Sequence, residues 1–175
     1  MSEENSFLFA EYARPVTKKG KYRKYRLLLV LAYVVFAFAY AGFFVSVNIP
    51  QVIAVLPLFV WMLVFFTWGL VSFEYRVKVD TGVLSFGKLR DKKEKVLLTV
   101  KVKELATVEA YTPEALRAHS PDKTLDVRSD PYAAGGYFAV FGEGETTVAV
   151  LFEASEHLLS ALRYYNKEAL RVKRI

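Results

Sequence analysis

A long uncharged segment, residues 27–73, dominates the hydrophobic pattern of the chain. It contains no Asp, Glu, Lys, Arg or His, and Asn48, Pro50 and Gln51 divide it into two apolar runs, 27–47 and 52–73. As an α-helix each run would extend about 32 Å, which matches the hydrocarbon thickness of a bilayer. The pattern therefore predicts a transmembrane hairpin of two helices joined by a short turn.

After residue 73 the hydrophobic period changes to two, which is typical of half-buried β-strands. Thr81 and Gly82 provide a tight hairpin turn, and the charged stretch 87–95 provides the tip of a second hairpin. The alternation predicts strands at residues 74–80, 83–88, 96–102, 105–111, 137–141 and 146–152.

A helix at about residues 155–166 is predicted as the last element of the chain. Ser155 is a suitable N-cap, and Leu158, Leu159 and Leu162 form one apolar stripe. Six to seven strands followed by one capping helix predict an α+β fold. We expect a pleckstrin-homology-like (PH-like) antiparallel β-barrel or sandwich, with the helix covering an apolar opening.

Residues 112–136 are predicted to form a long loop, because they are polar and contain three prolines and two consecutive glycines. One helical turn is expected at residues 113–118, where Pro113 suits the first helical position. Long loops in compact domains are usually functional or disordered. An enzyme that uses this loop is therefore one alternative, although the loop lacks a nucleophile–base pair.

The net charge of +6 is unevenly distributed. Residues 1–26 contain seven Lys or Arg and three Glu, a net charge of +4, which leaves +2 for residues 74–175. Excess charge beside an apolar span indicates topology and contact with anionic lipid, whereas a nucleic-acid-binding domain would carry it on the folded domain. We therefore predict no nucleic-acid partner. The residues assigned to topology or lipid headgroups are Lys18, Lys19, Lys21, Arg23, Lys24 and Arg26.

The charged hairpin tip is a second candidate surface. Its basic residues are Lys88, Arg90, Lys92, Lys93 and Lys95. Salt-sensitive lipid binding would follow if they face a membrane, whereas a solvated hairpin end requires no function. Both interpretations remain open at this point.

The residues that support catalysis or metal binding are scarce. The chain has no cysteine and two histidines, His119 and His157, which excludes thiolate chemistry and cysteine metal sites. Asp122, Asp126 and Asp130 are evenly spaced but lack the pattern of a calcium-binding loop. We therefore predict no catalytic residue, no cofactor and no metal.

Three groups of residues resemble a known family. They are 73–75 with 81–84, the segment from 92–93 to 97–100, and 152–156 leading to 165–166. These turns, strand starts and helix cap resemble a family of small membrane proteins of Clostridia-type bacteria, in which two spans precede a PH-like domain. The resemblance implies a bacterial cell-membrane location and a PH-like fold. It implies no activity and no site residue.

Three regions are predicted: a cytoplasmic basic segment, 1–26; a transmembrane hairpin, 27–73; and a cytoplasmic PH-like domain, 74–175. Basic residues on both flanks predict that both chain ends are cytoplasmic. Cleavage of the first span as a signal peptide is disfavoured, because 26 residues precede it and the apolar run is too long.

We therefore expect a non-enzymatic module, integral to the lipid bilayer, that presents a cytoplasmic binding surface to anionic lipid, to a protein partner or to a second copy. The alternative is an accessory or structural subunit of a larger membrane complex.

Overall fold

The computed structural model describes residues 9–90, 93–131 and 135–170. The chain divides into two compact units. One is a helical unit, Thr17–Phe73, and the other is a β-rich unit formed by the sequence on either side of it. Each unit is described separately below.

The helical unit is a hairpin. Asn48 turns the chain with a left-handed φ of 59°, a conformation that Asn tolerates better than most residues. Helix α1 and the helical stretch 50–70 are both long and apolar enough to cross a membrane. The elements are α1 (Gly20–Ser46), a 3-10 helix (Pro50–Val55), α2 (Leu56–Thr67) and a second 3-10 helix (Trp68–Leu70).

Polar contacts join the two arms of the helical unit along their length. The hydroxyls of Tyr33 and Thr67 form a hydrogen bond, and the Tyr40 hydroxyl donates to the Val52 carbonyl at 3.3 Å. At the open end, Arg26 Nε donates to the Val71 carbonyl at 3.1 Å. The arms are therefore paired by hydrogen bonds near both ends, which suits helices that pack in an apolar medium.

The β-rich unit contains two four-stranded sheets. Sheet A is antiparallel, with the strand order β1-β2-β3-β4, and sheet B has the order β5-β7-β8-β6, in which β6 runs parallel to β8. Sheet A consists of β1 (Phe9–Pro15), β2 (Glu74–Asp80), β3 (Val83–Arg90) and β4 (Lys93–Lys101). Sheet B consists of β5 (Leu105–Ala110), β6 (Lys123–Asp126), β7 (Tyr137–Glu143) and β8 (Thr146–Phe152).

Two helices cover this unit. Helix α3 (Pro113–Ala118) begins after Thr112, whose hydroxyl accepts a hydrogen bond from the Ala115 N–H. Helix α4 (Glu156–Tyr165) begins after Ser155, which accepts from the Leu158 N–H, and α4 buries its leucine stripe in the main core. The predicted helical turn at residues 113–118 and the predicted C-terminal helix are both confirmed.

The main core contains residues of both sheets and of α4. Phe86 of β3 and Phe152 of β8 are fully buried and meet edge to face, with ring centroids 5.5 Å apart. A second cluster on sheet B, centred on Phe138, packs against Tyr111 and Leu116. The segment that contains α3 therefore acts as a cover for sheet B.

The strand count corrects the sequence prediction. The described residues contain eight strands, not six to seven, and the unpredicted ones are β1 and β6. Strand β6 lies inside the segment predicted as a loop, has four residues, and is specified by parallel pairing to β8. Strand β1 lies inside the predicted basic segment 1–26, and its partner β2 is more than 50 residues away. Neither pairing leaves a local signal, because both depend on contacts distant in sequence.

The position of β1 changes the connectivity of the molecule. Strand β1 pairs with β2 along its whole length, from Phe9 opposite Asp80 to Pro15 opposite Glu74. The helical unit is thus an insertion between two adjacent antiparallel strands. Its two ends connect to residues that lie directly opposite each other on neighbouring strands.

Candidate functional site

Four basic residues at the end of the β3–β4 hairpin, Lys88, Arg90, Lys93 and Lys95, lie on one face. On β3, Leu84 and Phe86 face the core, and Lys88 and Arg90 continue the same side of the strand beyond it, because side chains alternate with period two. On β4, a register shift next to Phe86 leaves Leu97 as an extra residue. The bulge sets which β4 side chains share the face of Lys88.

The register places cations directly opposite cations. Lys88 pairs with Lys95, and Arg90 pairs with Lys93. We call these four residues the basic tip. The last residue of the predicted set, Lys92, lies outside the described residues. Like charges in directly opposed positions destabilise a sheet, so this arrangement has an energetic cost.

The electrostatic environment of Lys88 reflects this crowding. Partial burial lowers the pKa of its ammonium group from the usual value, and the nearby charges of Arg90 and Lys95 lower it further. An anion placed against the same face would oppose both effects, because it favours the charged ammonium. The charged form of the Lys88 ammonium group is therefore less favoured in this hairpin than in water.

Glu94, the acidic residue of strand β4, faces the other way. Glu94 accepts from Arg76 Nη1 at 3.2 Å, and Arg76 Nε lies 3.0 Å from Glu11 of β1. Gly87 allows this placement, since a Cβ at that position would lie 2.7 Å from the Glu94 carboxylate. Ion pairing on the outer face thus keeps Glu94 away from the basic tip.

The basic tip lies at a particular end of sheet A. Leu89, between Lys88 and Arg90, is opposite Glu74, and Glu74 is opposite Pro15. With neighbouring strands about 4.8 Å apart, Leu89 is about 10 Å from Pro15. The tip is therefore at the end of the sheet where the chain leaves for the helical unit and returns from it.

The predicted topology residues lie at the start of the helical unit. Lys18 and Lys19 precede α1, and the other four lie in its first two turns, so α1 begins seven residues before the predicted span at 27. Lys21 lies over the ring of Tyr25, 5.6 Å from its centroid. The six predicted topology residues are Lys18, Lys19, Lys21, Arg23, Lys24 and Arg26.

Acidic and histidine residues in the 112–136 segment make structural contacts. Asp122 accepts from the Thr147 N–H at 2.7 Å, and Asp126 holds the buried Arg128 with two side-chain hydrogen bonds. His119 Nε2 is 3.7 Å from Glu109. In residues 9–90, 93–131 and 135–170, no three His, Cys, Asp or Glu side chains are grouped to hold a metal ion.

Sequence analysis identified the basic tip residues but missed their pairing. The i, i+2 spacing of Lys88 with Arg90, and of Lys93 with Lys95, was a usable signal that each pair shares a face. That the two pairs oppose each other depends on the bulge at Leu97. The contributions of Arg76 and Glu11 could not be recognised before β1 was placed in the sheet.

The chain was compared with known families and proteins. A family model described as a bacterial PH-like domain (DUF6106) matches residues 7–172, a range that includes the helical unit as well as all eight described strands. Neither the curated proteins nor the solved structures include a significant match to the chain. The family match confirms the resemblance inferred from the sequence. This protein belongs to the bacterial PH-like domain family DUF6106.

Proposed function

We propose that this protein is a membrane-anchored, non-enzymatic binding module whose basic tip binds anionic lipid headgroups. The observation that carries the proposal is the strand register, which brings the tip to the same end of sheet A as Pro15 and Glu74. Both residues continue directly into the helical unit.

The surface of the helical unit supports the membrane anchor. In its two most apolar helical windows, 0% and 6% of the residues are buried, unlike the core helix of a soluble protein. Large apolar side chains face outward, including Phe38 at 75% and Trp61 at 62% exposure. Exposure of such a surface to water costs roughly 25 cal/mol per Å², whereas lipid would cover it.

The insertion of the helical unit between β1 and β2 indicates that both ends of this unit lie on the same side of the membrane. A sheet cannot form across a membrane, so the paired residues Pro15 and Glu74 must lie on one side. The basic residues before the first span favour the cytoplasmic side. Removal of the first span as a signal peptide would also remove β1 from its sheet, which argues against cleavage.

The connection between the helical unit and sheet A is short. Only residues 71–73 separate the last helical residue, Leu70, from Glu74, so their Cα atoms are at most about 14 Å apart. Near an anionic surface each Lys or Arg contributes about 1 kcal/mol. Four cations near such a surface would then contribute several kcal/mol to lipid binding.

A role as a subunit of a larger membrane complex is the second candidate. It is favoured by the stacked rings of Trp61 and Phe65, 5.7 Å apart, which are 62% and 64% exposed. Aromatic surface of this kind would also suit packing against spans of another protein. A partner that co-purifies in fixed stoichiometry in mild detergent would favour this candidate.

The anchor is tested by fractionation and protection. We expect the full-length protein to remain in the membrane pellet after alkaline carbonate extraction, because the two uncharged segments, 27–47 and 52–73, are held by the bilayer. Tags at the two chain ends should both be digested in inverted vesicles and both be protected in intact spheroplasts. Release into the supernatant, or opposite protection of the two tags, would contradict the proposal.

Lipid binding by the tip is tested with the full-length protein in vesicles. We expect slower amide hydrogen exchange in peptides covering residues 88–96 when phosphatidylglycerol replaces part of a neutral phosphatidylcholine bilayer, and reversal by 0.5 M salt. Replacement of the four tip cations by Gln should remove the difference. A matched variant with Gln at Lys101, Lys103, Lys123 and Lys167 should retain it. Amide hydrogen exchange that does not depend on the charge of the lipid would contradict the proposed role.

A further inference from the structure

We infer that the outer edge of β5, together with the 3-10 helix Val102–Glu104 that precedes it, is a docking site for an extended protein segment. The chain fills this site with its own residues 166–170. The segment that fits has an asparagine, then two solvent-facing residues, then a small residue and a leucine. A partner protein that presents this pattern would exchange with the chain's own segment. The inference does not depend on lipid binding by the basic tip.

The first step of the argument is the pairing of this segment with β5. Sheet B has the order β5-β7-β8-β6, so among the described strands β5 has a neighbour on one side only. On its other side the Val108 N–H donates to the Ala169 carbonyl at 2.7 Å, and Leu170 forms a parallel bridge with Val108. Addition of an extended segment to a sheet edge is a common mode of peptide recognition. Residues 169–170 therefore occupy β5 as a docked peptide would.

The second step is the set of side chains that the site accepts. Ala169 is 3% exposed and Leu170 is 9% exposed, and both belong to the main core. Lys167 and Glu168, which separate this pair from Asn166, are exposed. In recognition at a sheet edge, pockets for individual side chains supply the specificity. The site is therefore specific for a small residue followed by a larger apolar one.

The third step is the contact made by Asn166. Its side-chain amide donates to the carbonyls of Val102 at 2.9 Å and Leu105 at 3.1 Å. Its side-chain oxygen accepts from the Ala169 N–H at 3.1 Å. Capping of α4 does not require these bonds, because the Asn166 backbone N–H already donates to the Leu162 carbonyl at 2.9 Å. Val102 and Leu105 are buried, and a buried carbonyl without a donor is costly, so the site selects an asparagine here.

The fourth step is the small extent of the contact. In the described part of the chain the segment pairs with β5 through one bridge, whereas β1 pairs with β2 over seven residues. Weakly held segments open locally far more often than the whole domain unfolds. The segment nevertheless has a high effective concentration at the site, because the chain tethers it there. Weakening of the tethered segment should therefore open the site to a partner.

The experiment uses full-length protein in mild detergent and a fluorescein-labelled peptide with the sequence of residues 166–172. In the protein, Leu170→Asp places a carboxylate in the core and Asn166→Ala removes hydrogen bonds, so each releases the chain's own segment. We expect fluorescence anisotropy to show about 10-fold tighter peptide binding by both variants than by the wild type. The control Lys167→Ala, at an exposed residue of the same segment, should behave as the wild type. The bound peptide should slow amide hydrogen exchange in residues 105–110.

A second peptide, with Asn166→Ala, should bind the two release variants about 10-fold more weakly, because it leaves two buried carbonyls without a donor. Limited proteolysis shows whether each variant remains folded. Failure of the first peptide to bind a protease-resistant release variant, or equal binding by the wild type, would overturn the docking site. Equal binding of the two peptides would also overturn it. Loss of protease resistance in both variants would show that the segment is an integral part of the fold and would overturn the inference as well.

Discussion

Deletion of residues 9–15 from the full-length chain is expected to abolish cooperative folding of the β-rich unit. Strand β1 forms a seven-residue antiparallel pairing with β2, and its Ala10 is 1% exposed and belongs to the main core. Loss of its backbone hydrogen bonds and of core burial would cost roughly 5 kcal/mol or more, comparable to the whole stability of a domain. Limited proteolysis in mild detergent measures the result.

A matched pair of substitutions tests the same strand without deletion. Ala10 points into the core, whereas Ala13, on the opposite face, is exposed. Ala10→Asp should make the β-rich unit protease-sensitive, because the substitution buries a carboxylate in the apolar core. Ala13→Asp should leave the digestion pattern unchanged. Equal resistance of both variants and of the deletion would show that β1 is dispensable.

The same connectivity predicts that the β-rich unit can be freed from its anchor. Replacement of residues 16–73 by a two-residue Asn-Gly turn would join Pro15 to Glu74, which already oppose each other. We expect this chain to be water-soluble and to unfold cooperatively. A fragment that starts at residue 74 should not, because it lacks β1. Identical unfolding of the two chains would contradict the insertion.

The second large effect is expected at the contact between the sheets. Phe86→Ala should lower the free energy of unfolding by about 3–5 kcal/mol, because the side chain is 0% exposed and its ring meets that of Phe152. Pulse proteolysis of the full-length protein across a urea series measures the change for the β-rich unit.

The control for this substitution is on the neighbouring strand. Val96→Ala removes apolar atoms from a side chain that is 55% exposed, so its effect should stay within about 0.5 kcal/mol. If Phe86→Ala cost no more than Val96→Ala, the described core would be wrong.

Local sequence patterns were sufficient to predict many of the secondary-structure elements. The turn at Thr81 and Gly82 was predicted from the dipeptide, and the structure shows both residues at positive φ, 50° and 78°. The helix α4 was predicted from the Ser155 cap and the leucine stripe. Such elements are readable because their causes lie within a few residues of each other.

The candidate site was also predicted only in part from the sequence. The basic residues of the tip were visible in the sequence, as was the charge excess before the first span. Their relation to each other was not visible, because a single bulge at Leu97 decides which β4 residues oppose Lys88 and Arg90. A shift of one residue would have moved the β4 cations to the other face.

By itself the sequence determined two apolar helices, a following β-rich region with a capping helix, and the basic composition of its charged hairpin. These follow from periodicity, capping and charge, which act locally. The tertiary structure alone decided that β1 completes sheet A and that the helical unit is inserted between paired strands. It also decided that the basic tip lies beside the insertion point. The reason is that strand pairing joins residues distant in the chain, and their partners leave no local pattern.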